Sequence, residues 1–174
     1  MDSMYDREAV RPMWEELSFV GVESLITPEE VAEKLSQKGG TALLVVNSVC
    51  GCAAGGARPG VTLSLQHETI PDRLYTVFAG VDRGATDAAR GLMQEVPPSS
   101  PCIALFKDGR PIFALQRQHI EMMDAEAIAQ TLTQAYDQHC DRKGPSVSRE
   151  VFEKNTSVQQ CGSSIPIAGP QDPS

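Results

Sequence analysis

Two cysteines held one glycine apart, Cys50-Gly51-Cys52, follow closely on an apolar run, Thr41 to Val46. That run is short, rich in β-branched residues and almost wholly apolar, which suits a strand buried on both faces of a sheet with helices above and below. Thiols at the carboxyl end of such a strand face a crevice. If Cys50 also sits at the first turn of the next helix, unpaired backbone N–H groups and the helix dipole stabilise its thiolate. A fall in thiol pKa from about 8.5 to about 7 raises the thiolate fraction near neutral pH from roughly 3% to about half. Thiol–disulfide exchange needs one thiolate to attack and a second thiol close enough to release the product, and the pair supplies both. A C-x-C ring is one residue smaller than C-x-x-C, so its disulfide is expected to be more strained and more oxidising, with Gly51 lessening the strain.

Other chemistries were weighed against that one. Neither G-x-G-x-x-G nor G-x-x-x-x-G-K-[ST] is present, since Gly51, Gly55 and Gly56 are wrongly placed and no lysine follows, which argues against a nucleotide-binding loop. Zinc is a stronger rival because thiolates are its natural ligands, but structural sites usually pair two C-x₂₋₄-C knuckles or add C…H pairs. Here Cys102, Cys140 and Cys161 are scattered singly, and His67, His119 and His139 show no ligand spacing, so no metal is expected. Cysteine also serves as a small buried hydrophobe. Two thiols flanking one glycine at a strand-to-helix junction are less easily explained that way.

The elements that must position this pair follow from the apolar periodicity. Val10, Met13, Trp14 and Leu17 predict a helix from Tyr5 to about Leu17, bent or restarted at Pro12, with Trp14 as a packing anchor. Thr27 as N-cap, Pro28 at the first position and Glu30 as capping-box partner predict a second helix, ended by Gly39-Gly40. Beyond Cys52 a helix to about His67 is expected, kinked at Pro59. A strand over 74–79, a helix over 86–96, a hairpin of 102–106 and 111–115 around Lys107-Asp108-Gly109-Arg110, and a last helix capped by Asp124 and running to about Cys140 complete the order. Strands alternating with helices before a closing hairpin imply an α/β fold, a mixed sheet between two helical layers. Residues 141–174 hold four prolines, six serines and three glycines without a sustained apolar period, and are read as a mostly disordered tail containing Cys161, with one transient helical turn at Val147 to Phe152.

A chain of 174 residues is long enough to bury a core without disulfide staples, so the cysteines are not needed for folding. The first residues, MDSMYDREAV, are acidic and lack an apolar segment, and no apolar run is long enough for a membrane helix, so neither a signal peptide nor a membrane association is expected. The expected setting is the cytoplasm, where a close cysteine pair points to catalysis, redox sensing or metal binding. A formal net charge of −8 and a pI near 4.8 argue against a nucleic-acid partner.

The segment from Val45 through Cys50-Gly51-Cys52 to Gly55, with Ala57-Arg58-Pro59, Val77-Phe78-Ala79-Gly80, Ser99-Ser100-Pro101, Lys107-Asp108-Gly109 and His139-Cys140, resembles the bacilliredoxin family, thioredoxin-like bacterial proteins marked by a CGC motif. The likeness covers residues 1–140 and implies a thioredoxin-like domain over that range. It implies an oxidoreductase that removes bacillithiol, or another low-molecular-weight thiol serving as co-substrate, from mixed disulfides on S-thiolated client proteins, with no bound cofactor. By the same resemblance Cys50 attacks and Cys52, or a second bacillithiol, resolves, while Gly51, Ser100 and Pro101 contact the substrate. A proline opening an accessible strand after a serine-rich turn predicts a cis Ser100–Pro101 bond facing the motif. Cys50 is expected to be the more exposed thiol, Cys52 to lie deeper in the first helical turn, and Cys140 and Cys161 to be dispensable. A non-enzymatic metal-binding or redox-sensing module using the same cysteines is the competing reading, which metal content of the reduced protein would separate.

Overall fold

The computed structural model describes residues 4–158. Its main sheet has five strands, β1 (Glu23–Ser24), β2 (Thr41–Asn47), β4 (Arg73–Phe78), β5 (Cys102–Lys107) and β6 (Arg110–Leu115), in the order β1-β4-β2-β5-β6. β1, β4 and β2 run parallel, whereas β5 and β6 are antiparallel to their neighbours. A two-stranded ribbon pairs β3 (Thr69–Ile70) with β7 (Arg142–Lys143). The helices are α1 (Arg11–Ser18), α2 (Pro28–Leu35), α3 (Arg58–Ser64), α4 (Arg83–Gly91), α5 (Arg117–Ile120), α6 (Ala125–His139) and α7 (Arg149–Val158).

All seven residues of β2 are buried, because the sheet is covered on both sides. Leu43 and Val45 face one cluster with Leu17 of α1, Val61 of α3 and Ile128, Leu132 and Tyr136 of α6. Ala42, Leu44 and Val46 face the other, with Val31 and Leu35 of α2 and Ala85 and Ala89 of α4. The alternation of side chains along a strand thus ties one segment to both helical layers. Fully burying each such leucine or valine is worth about 1.5–3 kcal/mol, so β2 is firmly held from both sides.

Most element boundaries match the sequence reading. Thr27 Oγ1 accepts from the Glu30 N–H while the Glu30 carboxylate accepts from Ile26 and Thr27 N–H, closing the capping box and holding the Glu30 carboxyl below its ordinary range. Asp124 caps α6 through Ala127 N–H. The β5–β6 hairpin turns on Asp108 and Gly109, both at positive φ, as a two-residue hairpin loop requires.

The differences have local causes. α1 begins only at Arg11, since Pro12 fits the first turn of a helix better than its interior. The helix after Cys52 opens with a wide π-helical turn, Ala53–Ala57, in which Arg58 N–H donates to Ala53 C=O; Pro59 follows and has no N–H to continue a regular ladder. α4 ends at Gly91 rather than near Val96. Residues 142–158, assigned to a tail by composition, carry β7 and α7, with Val147 and Phe152 packed on the core beside α3 and α6. Gly144 N–H donates to Glu68 C=O and Ser146 N–H to Leu65 C=O, contacts no periodicity reveals. Cys161 lies outside the described residues.

Candidate active site

β2 delivers the motif. Its last residue, Asn47, is buried, and the chain turns at Ser48 and Val49 before Ala53 and Ala54 N–H donate to Cys50 C=O at 3.1 and 3.2 Å. The helix therefore opens on Cys50, and Cys52 lies in its first turn. The two Sγ atoms are 2.7 Å apart, close enough to share one proton. Ser48 Oγ donates to Cys50 Sγ at 3.1 Å and accepts from Cys50 N–H at 3.2 Å. Gly51 is exposed, and a Cβ there would meet nothing, so the glycine leaves the mouth of the site open.

Both thiols are half-buried, so exposure does not rank them as the sequence reading expected; their hydrogen bonds do. Burial pushes the Cys50 thiol up, but donation from Cys52, Ser48 and the Ala53 and Cys52 N–H groups outweighs it and leaves Cys50 below the ordinary thiol value. Burial, the hydrogen bond to Cys50 and the Cys50 charge push Cys52 up, with Arg117 opposing. The opposite directions of the two shifts make Cys50 the thiol of the pair that ionises first.

A cleft of about 350 Å³ opens beside Cys50, bounded by Ser48, Ser100, Gly80 and three arginines, Arg83, Arg90 and Arg117, with no acidic side chain among the described residues that line it. Ser100–Pro101 is cis, as the serine-rich turn predicted, and Gly144–Pro145 is cis as well. Arg117 Nη1 donates to Ser100 C=O at 3.2 Å, its Nε donates to Glu121 at 2.8 Å, and its backbone N–H donates to Ser99 Oγ. Ser100 is thus brought to the thiols, with its carbonyl engaged by Arg117.

Among the described residues the other cysteines, Cys102 and Cys140, make no bond to the pair. Cys102, beside Val46 in the sheet, is buried and its thiol is pushed up to about 11 by burial. Cys140 packs against Thr41, at the other end of β2. His67 pairs with Asp137 and His119 caps α5. Among the described residues no group of three or more His, Cys, Asp or Glu side chains is arranged to hold a metal ion, and no helix is long and apolar enough to cross a membrane.

Sequence reasoning missed Ser48, Arg58 and Arg117 as parts of the site. Ser48 was findable as a hydroxyl two residues from the thiol, and Arg58 as the lone charge in a helix of small residues. Arg117 left no signal, since only the packing of α5 against the cis-proline turn brings it near.

The mixed sheet and the paired thiols at the end of its central strand suit thiol–disulfide exchange, the chemistry of an oxidoreductase. Comparison with known proteins narrows this. A family model described as "Disulphide isomerase" matches residues 5–140. A bacilliredoxin from Cytophaga hutchinsonii is 50% identical over 135 residues, 78% of this chain and 99% of that protein. One from Halalkalibacterium halodurans is 46% identical, covering 79% of this chain and 95% of the other. The chain belongs to the bacilliredoxin family. Among solved structures, oxidized mitochondrial thioredoxin 3 of Saccharomyces cerevisiae aligns at 19% identity over 70% of this chain and 98% of that one, with a TM-score of 0.47.

Proposed function

We propose that the chain removes bacillithiol, or a similar low-molecular-weight thiol, from mixed disulfides on S-thiolated client proteins in the cytoplasm, with Cys50 attacking and Cys52 resolving. The observation that carries this reading is the 2.7 Å contact between two sulfurs whose pKa values are pushed in opposite directions. The Cys50 thiolate attacks the small thiol's sulfur, a new S–S bond joins Cys50 to the small thiol, and the client's sulfur leaves as a thiolate that takes a proton from water. Once Cys50 is capped its charge is gone, and with it the repulsion that kept Cys52 protonated. Cys52 then ionises more readily beside Arg117, attacks Cys50 Sγ and expels the small thiol, leaving a Cys50–Cys52 disulfide that an external thiol must reduce.

Three arginines line the cleft, with Arg117 also paired to Glu121, and in a chain of net charge −8 they support a co-substrate that bears carboxylates. The exposed Gly51 leaves room for the incoming disulfide, and Ser100, in the cleft wall with Pro101 next to it in the chain, would meet a client segment. Incubating the Cys52→Ala variant with a bacillithiolated client and reading intact mass tests the assignment. A bacillithiol adduct on Cys50 with release of the free client is expected. Absence of transfer, or an adduct elsewhere in the chain, would overturn it.

A further inference from the structure

Behind the thiols lies a charged network that the exchange chemistry does not use directly. Arg58 is 0% exposed and is among the largest fully buried side chains of the described residues. Its Nε donates to Glu16 Oε1 of α1 at 3.1 Å, and its Nη1 donates both to Asn47 Oδ1 at 3.0 Å and to Ser48 C=O at 2.8 Å. Asn47 Oδ1 also accepts from Ser48 N–H at 2.8 Å. Ser48 is therefore gripped at both its backbone N–H and its C=O, each grip leading back to the same guanidinium.

That grip fixes the backbone that carries the hydroxyl. A serine hydroxyl has one proton, and the Ser48 oxygen already accepts from Cys50 N–H, so the proton is left to point at Cys50 Sγ. Arg58 itself makes no hydrogen bond to either sulfur among the described residues, and its Nη2 is buried without a partner. A buried ion pair with an unmet N–H is a poor stabiliser, since apolar replacements of similar volume often hold a fold equally well. Its place one contact behind the donor to the thiolate needs another reason.

We propose that Arg58 is a positioning residue for the reactive thiol: by clamping the Asn47–Ser48 turn it aims the Ser48 hydroxyl at Cys50 Sγ and so favours the thiolate. The inference rests on Cys50 being the attacking thiol. Glu16 holds Arg58 from the far side and is not between the guanidinium and Ser48.

The test is the pH dependence of iodoacetamide alkylation at Cys50, read from the mass of the Cys50 peptide in a Cys52→Ser background, which keeps it independent of turnover and client. Ser48→Ala and Arg58→Lys should each raise the midpoint by about one unit, and the double variant should rise no further than the larger single change. Well below the midpoint a one-unit rise leaves about a tenth of the thiolate. Each remaining thiolate is about threefold more nucleophilic, so alkylation there should fall about threefold. Glu16→Gln, which leaves the clamp on Ser48 intact, should stay close to the unsubstituted midpoint. If Arg58→Lys does not fold, Asn47→Ala must raise the midpoint in its place. An unchanged midpoint in the clamp variants, or additive shifts showing that Arg58 acts on the sulfur by a route other than Ser48, would overturn the proposal. A Glu16→Gln shift as large as that of Arg58→Lys would do so too. Failure to alkylate Cys50 at all in the background protein would instead strike at the assignment of the nucleophile.

Discussion

The two ends of β2 each hold a cysteine and treat it in opposite ways. At the carboxyl end the strand runs into a helix start, so Cys50 meets donors: a serine hydroxyl, a neighbouring thiol and the N–H groups of the first helical turn. At the amino end Cys140 Sγ lies 3.3 Å from Thr41 Oγ1, whose N–H and hydroxyl are both bound to the Asp72 carboxylate. Burial first, and then the charges of Asp72 and Asp141, push the Cys140 thiol up, with Thr41 opposing. Polypeptide direction underlies the contrast, because a strand's carboxyl end feeds the positive end of the following helix while its amino end here is closed by an acid. Burial alone makes a thiol inert, and the donors around it make it reactive.

The largest break in that comparison is to remove Cys50. Cys50→Ser should lower transfer from a mixed-disulfide client at least about a hundredfold, whereas Cys140→Ser should stay within about twofold of the unsubstituted protein, both measured as initial rates of free-client release. Equal losses would erase the distinction between the two ends.

Varying pH sharpens it. Because its folded pKa is lowered, Cys50 should alkylate with a midpoint below that of an ordinary thiol, and its contribution to stability is present above the unfolded pKa and lost as pH falls through the folded value. Cys102 runs the other way. With its thiol raised to about 11, its contribution is present below the unfolded pKa and lost as pH rises, amounting to about 3 kcal/mol above both values. Urea unfolding between neutral and strongly alkaline pH should show this loss, and Cys102→Ala should lose less over the same range. Tyr136, also pushed up by burial and opposed by its hydrogen bond to Ser64, adds a loss of the same sign in both proteins.

A smaller effect comes from making the amino end resemble the carboxyl end. Asp72→Asn removes one of the charges that raise Cys140, so the pH at which Cys140 alkylates should fall. Weakening the bonds to Thr41 should cost about 1 kcal/mol in urea unfolding. No change in the Cys140 profile would mean burial alone sets it. The smallest expected change is at the cleft: Arg90→Gln should reduce transfer of carboxylate-bearing thiols about threefold while leaving cysteamine, which has none, unaffected, in the same client-release assay. Equal losses for both carriers would remove the arginines from carrier recognition.

How much of this was legible depends on the range of the interaction involved. The buried central strand, the capping box at Thr27 and Glu30, the cap at Asp124, the Asp108-Gly109 hairpin and the cis bond before Pro101 are written in neighbouring residues, because periodicity, caps and turn chemistry act over a few positions. The short elements β1, β3, β7 and α5 escaped, since two to four residues carry no period and form only where the fold brings a distant partner beside them. The composition of 141–158 resembles a linker, yet its contacts to Glu68 and Leu65 lie more than seventy residues away in the chain.

By itself the sequence determined the α/β order, the strand that carries the thiols and the identity of the cysteine pair. Only the tertiary structure decided which surroundings each thiol meets: the Glu16–Arg58–Asn47–Ser48 network that reaches Cys50, the arginines gathered around the cleft, and the acid that faces Cys140. The physical reason is that a thiol's pKa is set by charges and donors within a few ångströms, and packing, not chain order, chooses those neighbours.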